Sequence, residues 1–341
     1  MFESCRDRHR SLSSPHHIGH DFFTRTQAGR ASNLQNWPYN HKGQVLYLTT
    51  LDKNHFFAGP FHHRPSAPDY RTSLTAGPGR IRAPGLGGDG DAAPHAGRLF
   101  VGTSGFAYPD WTPRFYPPGL GERDRLAFYA GRLPALELNN TFYARPTAAR
   151  IGAWAAATPA TFRFVVKAQR GAAMRALVSS PVESAAWLTD HLEDFGQRLG
   201  AVLFRVPENL HRHLDGVSDA ALGRLLDAWP RAVPLVMEFQ HASWHVDETF
   251  AALRSVGAVL CATDLPEDAE PPTIRRTGDA LYLRLRRHDY TDAELDVWAA
   301  RIEPFLAASH PVFAFFRHDE TGRATELAAG LSSRLAGYAE P

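Results

Sequence analysis

The sequence predicts an α/β fold: a closed (β/α)8 barrel of TIM type, preceded by a mostly disordered N-terminal extension. Three observations lead there. From Arg98 onward, short apolar runs alternate with amphipathic segments, the pattern of βα units feeding a parallel sheet. Eight such runs fit into about 245 residues, the length that a closed barrel of this kind needs. The competing open, doubly wound sheet would carry a glycine-rich phosphate turn after its first strand. Gly102-Thr103-Ser104-Gly105 does not fit that fingerprint.

The predicted strands are, in order, Leu99–Thr103, Ala135–Asn139, Phe162–Lys167, Ala201–Val206, Pro234–Phe239, Ala258–Asp264, Ala280–Leu285 and Val312–Phe316. Each is a short apolar run, as expected of a strand covered on both faces. Amphipathic spacing predicts helices at Glu122–Arg132, Thr147–Ala157, Pro181–Leu199, Ser218–Ala228, Asp247–Val256, Thr291–Leu306 and Thr321–Ala336. The crossover from Asp264 to Ala280 is weak.

The chain has 341 residues, 44% of them apolar and 21% charged, enough to bury a sizeable core. Its 37 basic and 36 acidic residues nearly cancel. That argues against a protein built around nucleic acid or an anionic membrane, either of which favours a basic excess. Two cysteines, Cys5 and Cys261, exclude a disulfide framework and a four-cysteine zinc site. No apolar run is long enough to span a membrane, and the first 30 residues lack the apolar stretch of a secretory signal. A cytoplasmic location is the expectation.

Composition divides the chain into an extension, 1–96, and a barrel domain, 97–341. The extension holds nine of the seventeen histidines and turn-rich runs such as Ala76-Gly77-Pro78-Gly79. It shows no sustained period, and such a segment cannot bury enough apolar surface to offset its chain entropy. It reads as an unstructured extension or a mis-assigned start, with one short strand conceivable at Gln44–Thr49. Metal binding by its histidines would be adventitious. The extension has 11 basic and 7 acidic residues, the remainder 26 and 29, so their net charges are +4 and −3.

In a barrel, function sits where strands run into the following helices. Lys167 stands out there: it ends the third strand and is the single lysine among the 26 basic residues of the barrel segment. A compact ammonium can shift its pKa on burial, form a Schiff base, or fit a small anion where a guanidinium cannot. The structural alternative is an ion pair with Glu137 or Glu238, which end the second and fifth strands. Barrel geometry puts about 5 Å between those two carboxyl groups, within reach of acid–base chemistry across a substrate. Neutralisation of both by Lys167 and nearby arginines is the competing reading. Other strand-end candidates for substrate contact are Asn139, Tyr143, Arg205, Gln240, His241, Trp244, Asp264, Arg284 and His288.

The tripeptides Arg287-His288-Asp289 and Arg317-His318-Asp319 follow adjacent strands. His288, Asp289, His318 and Asp319 could therefore hold a divalent metal, although coincidence in an arginine-rich chain explains the repeat as well. No cofactor is predicted. Ser104 lacks the G-x-S-x-G context of a nucleophile, because Phe106 takes the last glycine position.

Several motifs together resemble the YecE-like family, also called domain of unknown function 72. They are Val101-Gly-Thr-Ser-Gly-Phe-Ala-Tyr-Pro-Asp-Trp111, Phe115-Tyr116-Pro117, Glu137-Leu-Asn-Asn-Thr-Phe-Tyr143, Phe162-Arg-Phe-Val-Val-Lys167, Glu238-Phe-Gln-His-Ala-Ser-Trp244, Asp264 and Tyr282-Leu-Arg-Leu285. The resemblance spans about residues 98–338 and implies a TIM barrel, without bringing an established reaction. The chain departs from the family pattern in four places. Phe204-Arg205-Val206-Pro207 stands where the family usually has Phe-Gln-Leu-Pro, and Glu238-Phe239-Gln240-His241 where it has Glu-x-Arg-His. A guanidinium has thus moved between neighbouring strands, provided both side chains enter the mouth. Two further departures are Gln169-Arg170-Gly171, in place of a Thr-His pair, and Arg317-His318, in place of an Asn pair.

Three functions are carried forward. The first is a hydrolase- or lyase-type enzyme for a small anionic or sugar-phosphate-like substrate, with Lys167, Arg205 and Arg284 holding the anion and Glu137 and Glu238 as acid and base. The second is a non-catalytic sensor or binding protein using the same pocket. The third, a metal-dependent phosphodiester-cleaving enzyme, is disfavoured by the negative barrel charge.

Overall fold

In the computed structural model, which describes residues 97–213 and 219–338, all eight expected strands form. They are β1 (Leu99–Ser104), β2 (Ala135–Leu138), β3 (Arg163–Lys167), β4 (Leu199–Val206), β5 (Leu235–Phe239), β6 (Val259–Asp264), β7 (Leu281–Leu285) and β8 (Val312–Phe316). Each pairs in parallel with the next, and β8 returns to β1 with Leu99 opposite Val312, which closes the barrel. The extension, with its proposed disorder and its strand at Gln44–Thr49, lies outside the described residues.

The outer layer is formed by α1 (Arg125–Ala130), α2 (Ala148–Ala156), α3 (Arg170–Val178), α4 (Pro181–Thr189), α5 (Asp219–Ala228), α6 (Asp247–Val256), α7 (Asp292–Ala307) and α8 (Arg323–Arg334). Sequence also marks some helix ends. Thr291 and Glu294 make a reciprocal capping box at the start of α7, and Gly257 ends α6 at φ +72°. The expected helix over 181–199 is corrected: α4 stops at Thr189, and a 3-10 stretch, Leu192–Arg198, leads into β4. Helix α3 has no counterpart among the predicted elements. It buries mainly alanines, Ala172, Ala173 and Ala176 with Leu177, so it carries little apolar contrast in sequence. The weak crossover is irregular throughout; no helix forms between β6 and β7 among the described residues.

Strand alternation sorts side chains between two cores. Phe100, Ala135, Val165, Leu203, Val236, Cys261, Tyr282 and Phe315 fill the barrel interior, while the opposite faces pack under the helices. Phe100 stacks on Phe313 at 4.9 Å, and Tyr282 lies against Phe315 at 5.5 Å. These bulky rings leave no pore through the lower barrel. Between β1 and β2 the Tyr129 hydroxyl accepts from the Thr103 N–H at 2.9 Å and donates to the Ala135 carbonyl at 3.0 Å.

Gly102 makes this closure possible, since a Cβ there would stand 1.9 Å from the Ala135 carbonyl oxygen, itself a backbone atom. Gly102→Ala therefore forces β1 away from β2. Overpacking of this kind costs roughly 1–3 kcal/mol or more, and a urea unfolding curve should show at least that loss. A variant as stable as the wild type would mean that the β1–β2 contact is slack.

Candidate functional site at the barrel mouth

The inner-face alternation that places Tyr282 in the interior carries Arg284 one layer higher, at 1% exposure. Its guanidinium lies between the two glutamates. Nη1 donates to both Glu238 oxygens at 2.7 and 2.8 Å, while Nε and Nη2 donate to the Glu137 oxygens at 3.1 Å each. Glu137 also accepts from the Ser104 hydroxyl at 2.7 Å and the Tyr282 hydroxyl at 2.8 Å, and it pairs with Lys167 Nζ at 2.8 Å. Glu238 further accepts from Arg205 Nε and, at 3.1 Å, from the Thr263 hydroxyl.

The spacing between the carboxylates is thus occupied by Arg284, leaving no room for a substrate. Burial alone would raise the Glu137 carboxyl, but Arg284 and Lys167 hold it well below the usual carboxylate range. Burial opposes ionisation of Glu238 as well, and Arg284 and Arg205 outweigh it, bringing that group to about 2. Both stay ionised near neutral pH with their lone pairs engaged. Both residues of the expected acid–base pair thus hold cations in place in this arrangement.

Above this floor, Lys167 Nζ donates to Asn139 Oδ1. The Asn139 amide in turn donates to the Ser104 carbonyl at 2.7 Å and the Tyr108 hydroxyl at 3.0 Å. The His318 ring stacks on Tyr108 at 4.8 Å. Thr141 fixes the end of β3 by accepting the Lys167 backbone N–H at 3.0 Å. Arg286, the next inner-face residue after Arg284, donates to the Ser104 hydroxyl at 3.3 Å and has no carboxylate partner among the described residues. Burial lowers the Lys167 ammonium to about 8; Glu137 opposes that effect, and Arg284 and Arg286 add to it. Burial and the neighbouring Arg284 bring Arg286 to about 10. Partial burial, Arg286, Arg317 and Lys167 all disfavour protonation of His318. Four cations, Lys167, Arg205, Arg284 and Arg286, thus surround two carboxylates, and the positive excess lies toward the open end.

Other expected residues fall elsewhere. Asp264 has the wrong strand parity for the interior. It faces outward and binds Arg287 at 3.0 Å and the Tyr290 hydroxyl at 2.8 Å, tying down the loop after β7. Trp244 is buried packing whose indole N–H donates to the Leu210 carbonyl at 2.8 Å. Tyr143 is 78% exposed, although close enough to Tyr108 to disfavour ionisation of that phenol. His241 caps a 3-10 turn through Ser243, and His288 lies exposed on the rim. Gln240 and Arg205 line one small pocket with Phe142, so β4 supplies a guanidinium beside the site where the family resemblance expects one on β5.

Of the suggested metal set, His288, His318 and Asp319 line one pocket, while both carboxylates have partners of their own. Asp319 accepts backbone N–H groups of Thr321, Arg323 and Ala324, and Asp289 binds the Tyr290 N–H and Arg323. No group of three or more His, Cys, Asp or Glu side chains among the described residues could hold a metal ion. Sequence reasoning also missed Arg286, Tyr108 and Tyr282. For two of them the signal was present: Tyr282, Arg284 and Arg286 follow the period of two.

A cavity of about 530 Å³ opens beside the site. Pairing of β5 with β6 runs through Val236–Val259 and Met237–Leu260, and the missing crossover helix leaves the gap above them uncovered. Glu238, Gln240, Cys261 and Thr263 line it.

Removing Arg284 would strand two buried carboxylates. Arg284→Met should lose about 3–5 kcal/mol in urea unfolding, and an unchanged midpoint would show that the network is dispensable. Stability should also follow pH. The folded-state pKa values of Glu137 and Glu238 lie below their unfolded values, so their contribution is complete above about 4.5 and lost as pH falls towards 2. The Lys167 ammonium is disfavoured in the fold, so its part of the stability rises between about pH 8 and 10.5. That alkaline rise should be absent from Lys167→Met.

Comparison with known proteins agrees with this architecture. The chain is 23% identical over 263 residues to the UPF0759 protein YunF of Bacillus subtilis, covering 67% of this chain and 91% of that one. A DUF72 family protein from Thermotoga maritima superposes with a TM-score of 0.61 at 25% identity, covering 70% of this chain and 99% of that one. One from Enterococcus faecalis gives 0.58 at 19% identity, over 70% and 95%. The family described as "Protein of unknown function DUF72" matches residues 100–341, and the chain belongs to it.

Proposed function

We propose that the barrel mouth binds a small anionic compound of the carboxylate or phosphate class, and that the protein is an enzyme of lyase type acting on it. The observation that carries this reading is the charge imbalance, with Arg286 half-buried and in direct contact with no carboxylate among the described residues. Such a guanidinium, beside a buried ammonium, is poised to take an anion with charge-assisted hydrogen bonds. Asn139, Tyr108 and Ser104 supply neutral polar groups around it. Water activation by a carboxylate, the usual hydrolytic route, loses support because both glutamates are fully engaged. The group left to exchange protons near neutral pH is Lys167. Two cysteines and the lack of an apolar span in sequence favour the cytoplasm as its compartment; no described helix is long and apolar enough to cross a membrane.

The same carboxylate network favours a second reading, a sensor that binds the anion without turnover. Carboxylates fixed in ion pairs can preorganise a binding site with no proton transfer at all.

Thermal unfolding at constant ionic strength tests the shared premise with inorganic phosphate, pyruvate and dihydroxyacetone phosphate. At one hundred times Kd an anion contributes about 2.7 kcal/mol, or roughly 5–10 °C for a domain of this size. Arg286→Gln should lose that shift. Identical behaviour of wild type and variant with every anion would overturn the proposal, and conversion of a bound anion to product would separate the enzyme from the sensor.

A further inference from the structure

We infer that Lys167 is a covalent nucleophile: its amine forms an imine with the carbonyl carbon of a small oxo-acid or phosphorylated ketone whose anionic group is held by Arg286. The inference deepens the anion-binding reading and takes its substrate class from it.

The argument begins with position. Lys167 ends β3 at 7% exposure, with its backbone fixed by Thr141 and its ammonium held by Glu137 and Asn139. It is thus fixed at one place at the base of the mouth. An amine used only to neutralise Glu137 would be redundant, because Arg284 already donates twice to that carboxylate. Elsewhere in the barrel segment arginine fills every basic position, and a guanidinium cannot serve as a nucleophile at ordinary pH. The groups facing Lys167 are Glu137 from β2, Asn139 just after it, Arg284 from β7, Arg286 just after it and His318 after β8, with Tyr108 reached through Asn139. Desolvation makes proton loss easier and the two arginines add to it, against the pull of the Glu137 carboxylate; burial and neighbouring cations are how enzymes activate amines for carbonyl chemistry.

The chemistry balances without an external reagent. The ammonium gives a proton to solvent, and the nitrogen lone pair forms a C–N bond as the carbonyl π bond breaks. A proton moves from nitrogen to the new alkoxide, giving a carbinolamine. That hydroxyl leaves as water with the proton returned from solvent, so ammonium plus carbonyl becomes iminium plus one water. The iminium then serves as an electron sink for cleavage or formation of the adjacent C–C bond, which is lyase chemistry.

Reductive trapping tests it. The full chain is incubated with sodium cyanoborohydride and glyoxylate, pyruvate or dihydroxyacetone phosphate, and the adduct is located by peptide mass mapping. The chain holds two other lysines, Lys42 and Lys53, which serve as internal references. The expected result is saturable labelling of Lys167, at least tenfold faster than at either reference and rising as pH increases through 8. Lys167→Arg, which keeps the charge, should lose the adduct while retaining the wild-type circular dichroism spectrum. Labelling of Lys167 no faster than of the reference lysines, by all three probes, would overturn the inference. If Arg286-dependent thermal shifts persist in that case, the anion site stands and only the covalent step fails. Fast labelling of Lys167 that is undiminished in Arg286→Gln would instead leave the nucleophile in place and remove the anion clamp.

Discussion

The site is organised by one buried guanidinium. Arg284 stands between glutamates that come from strands three apart around the ring, and its donors are divided between them. Burying three charges carries a large desolvation penalty, which multiple direct hydrogen bonds can offset only when all the partners are present. Each glutamate therefore depends on Arg284, and Arg284 on both. Ser104, Tyr282 and Thr263 occupy the remaining acceptor capacity of the carboxylates, so the cluster behaves as one polar unit inside an apolar wall.

That unit lies where it does because of strand parity. In a closed parallel barrel, alternate side chains point inward and stack in layers. The lower layers are aromatic and aliphatic, with Phe100, Phe313 and Tyr282 among them, and the layer above carries Glu137, Lys167, Glu238 and Arg284. Tyr282 belongs to both: its ring packs against Phe313 and Phe315, and its hydroxyl donates upward to Glu137. The dry layer below excludes water from one side of the charges, which strengthens their mutual attraction.

The strand pattern was legible in the sequence because buried parallel strands are short, apolar and bounded by polar ends. Helix α3 was hidden by its alanines, and the long expected helix was interrupted by the left-handed turn at His191. Within the site, Lys167 was visible through residue usage, and Glu137 and Glu238 through their places at strand ends. What stayed hidden was the pairing among them, since no local pattern announces that a side chain from β7 will fill the gap between β2 and β5. Asp264 illustrates the same limit from the other side. It ends β6, but one step of parity turns it away from the mouth and into a structural contact with Arg287 and Tyr290. A strand-end position marks a residue only when its parity matches the inner face, and by that criterion Arg286 outranks Asp264.

Parity also explains why a lysine occupies position 167. The third strand turns an inner-face residue toward Glu137 where Arg284 already supplies the flat, forked donor set that a carboxylate accepts best. A second guanidinium would be larger and would stay charged under all ordinary conditions, adding repulsion with Arg284 and Arg286. A lysine reaches the same carboxylate through a single small headgroup and can lower that repulsion by releasing its proton. The crowding of cations on which the proposed anion binding rests adds to the burial that lowers the Lys167 ammonium, against the opposing Glu137 carboxylate. Desolvation and the neighbouring guanidinium groups would thus act together on the amine.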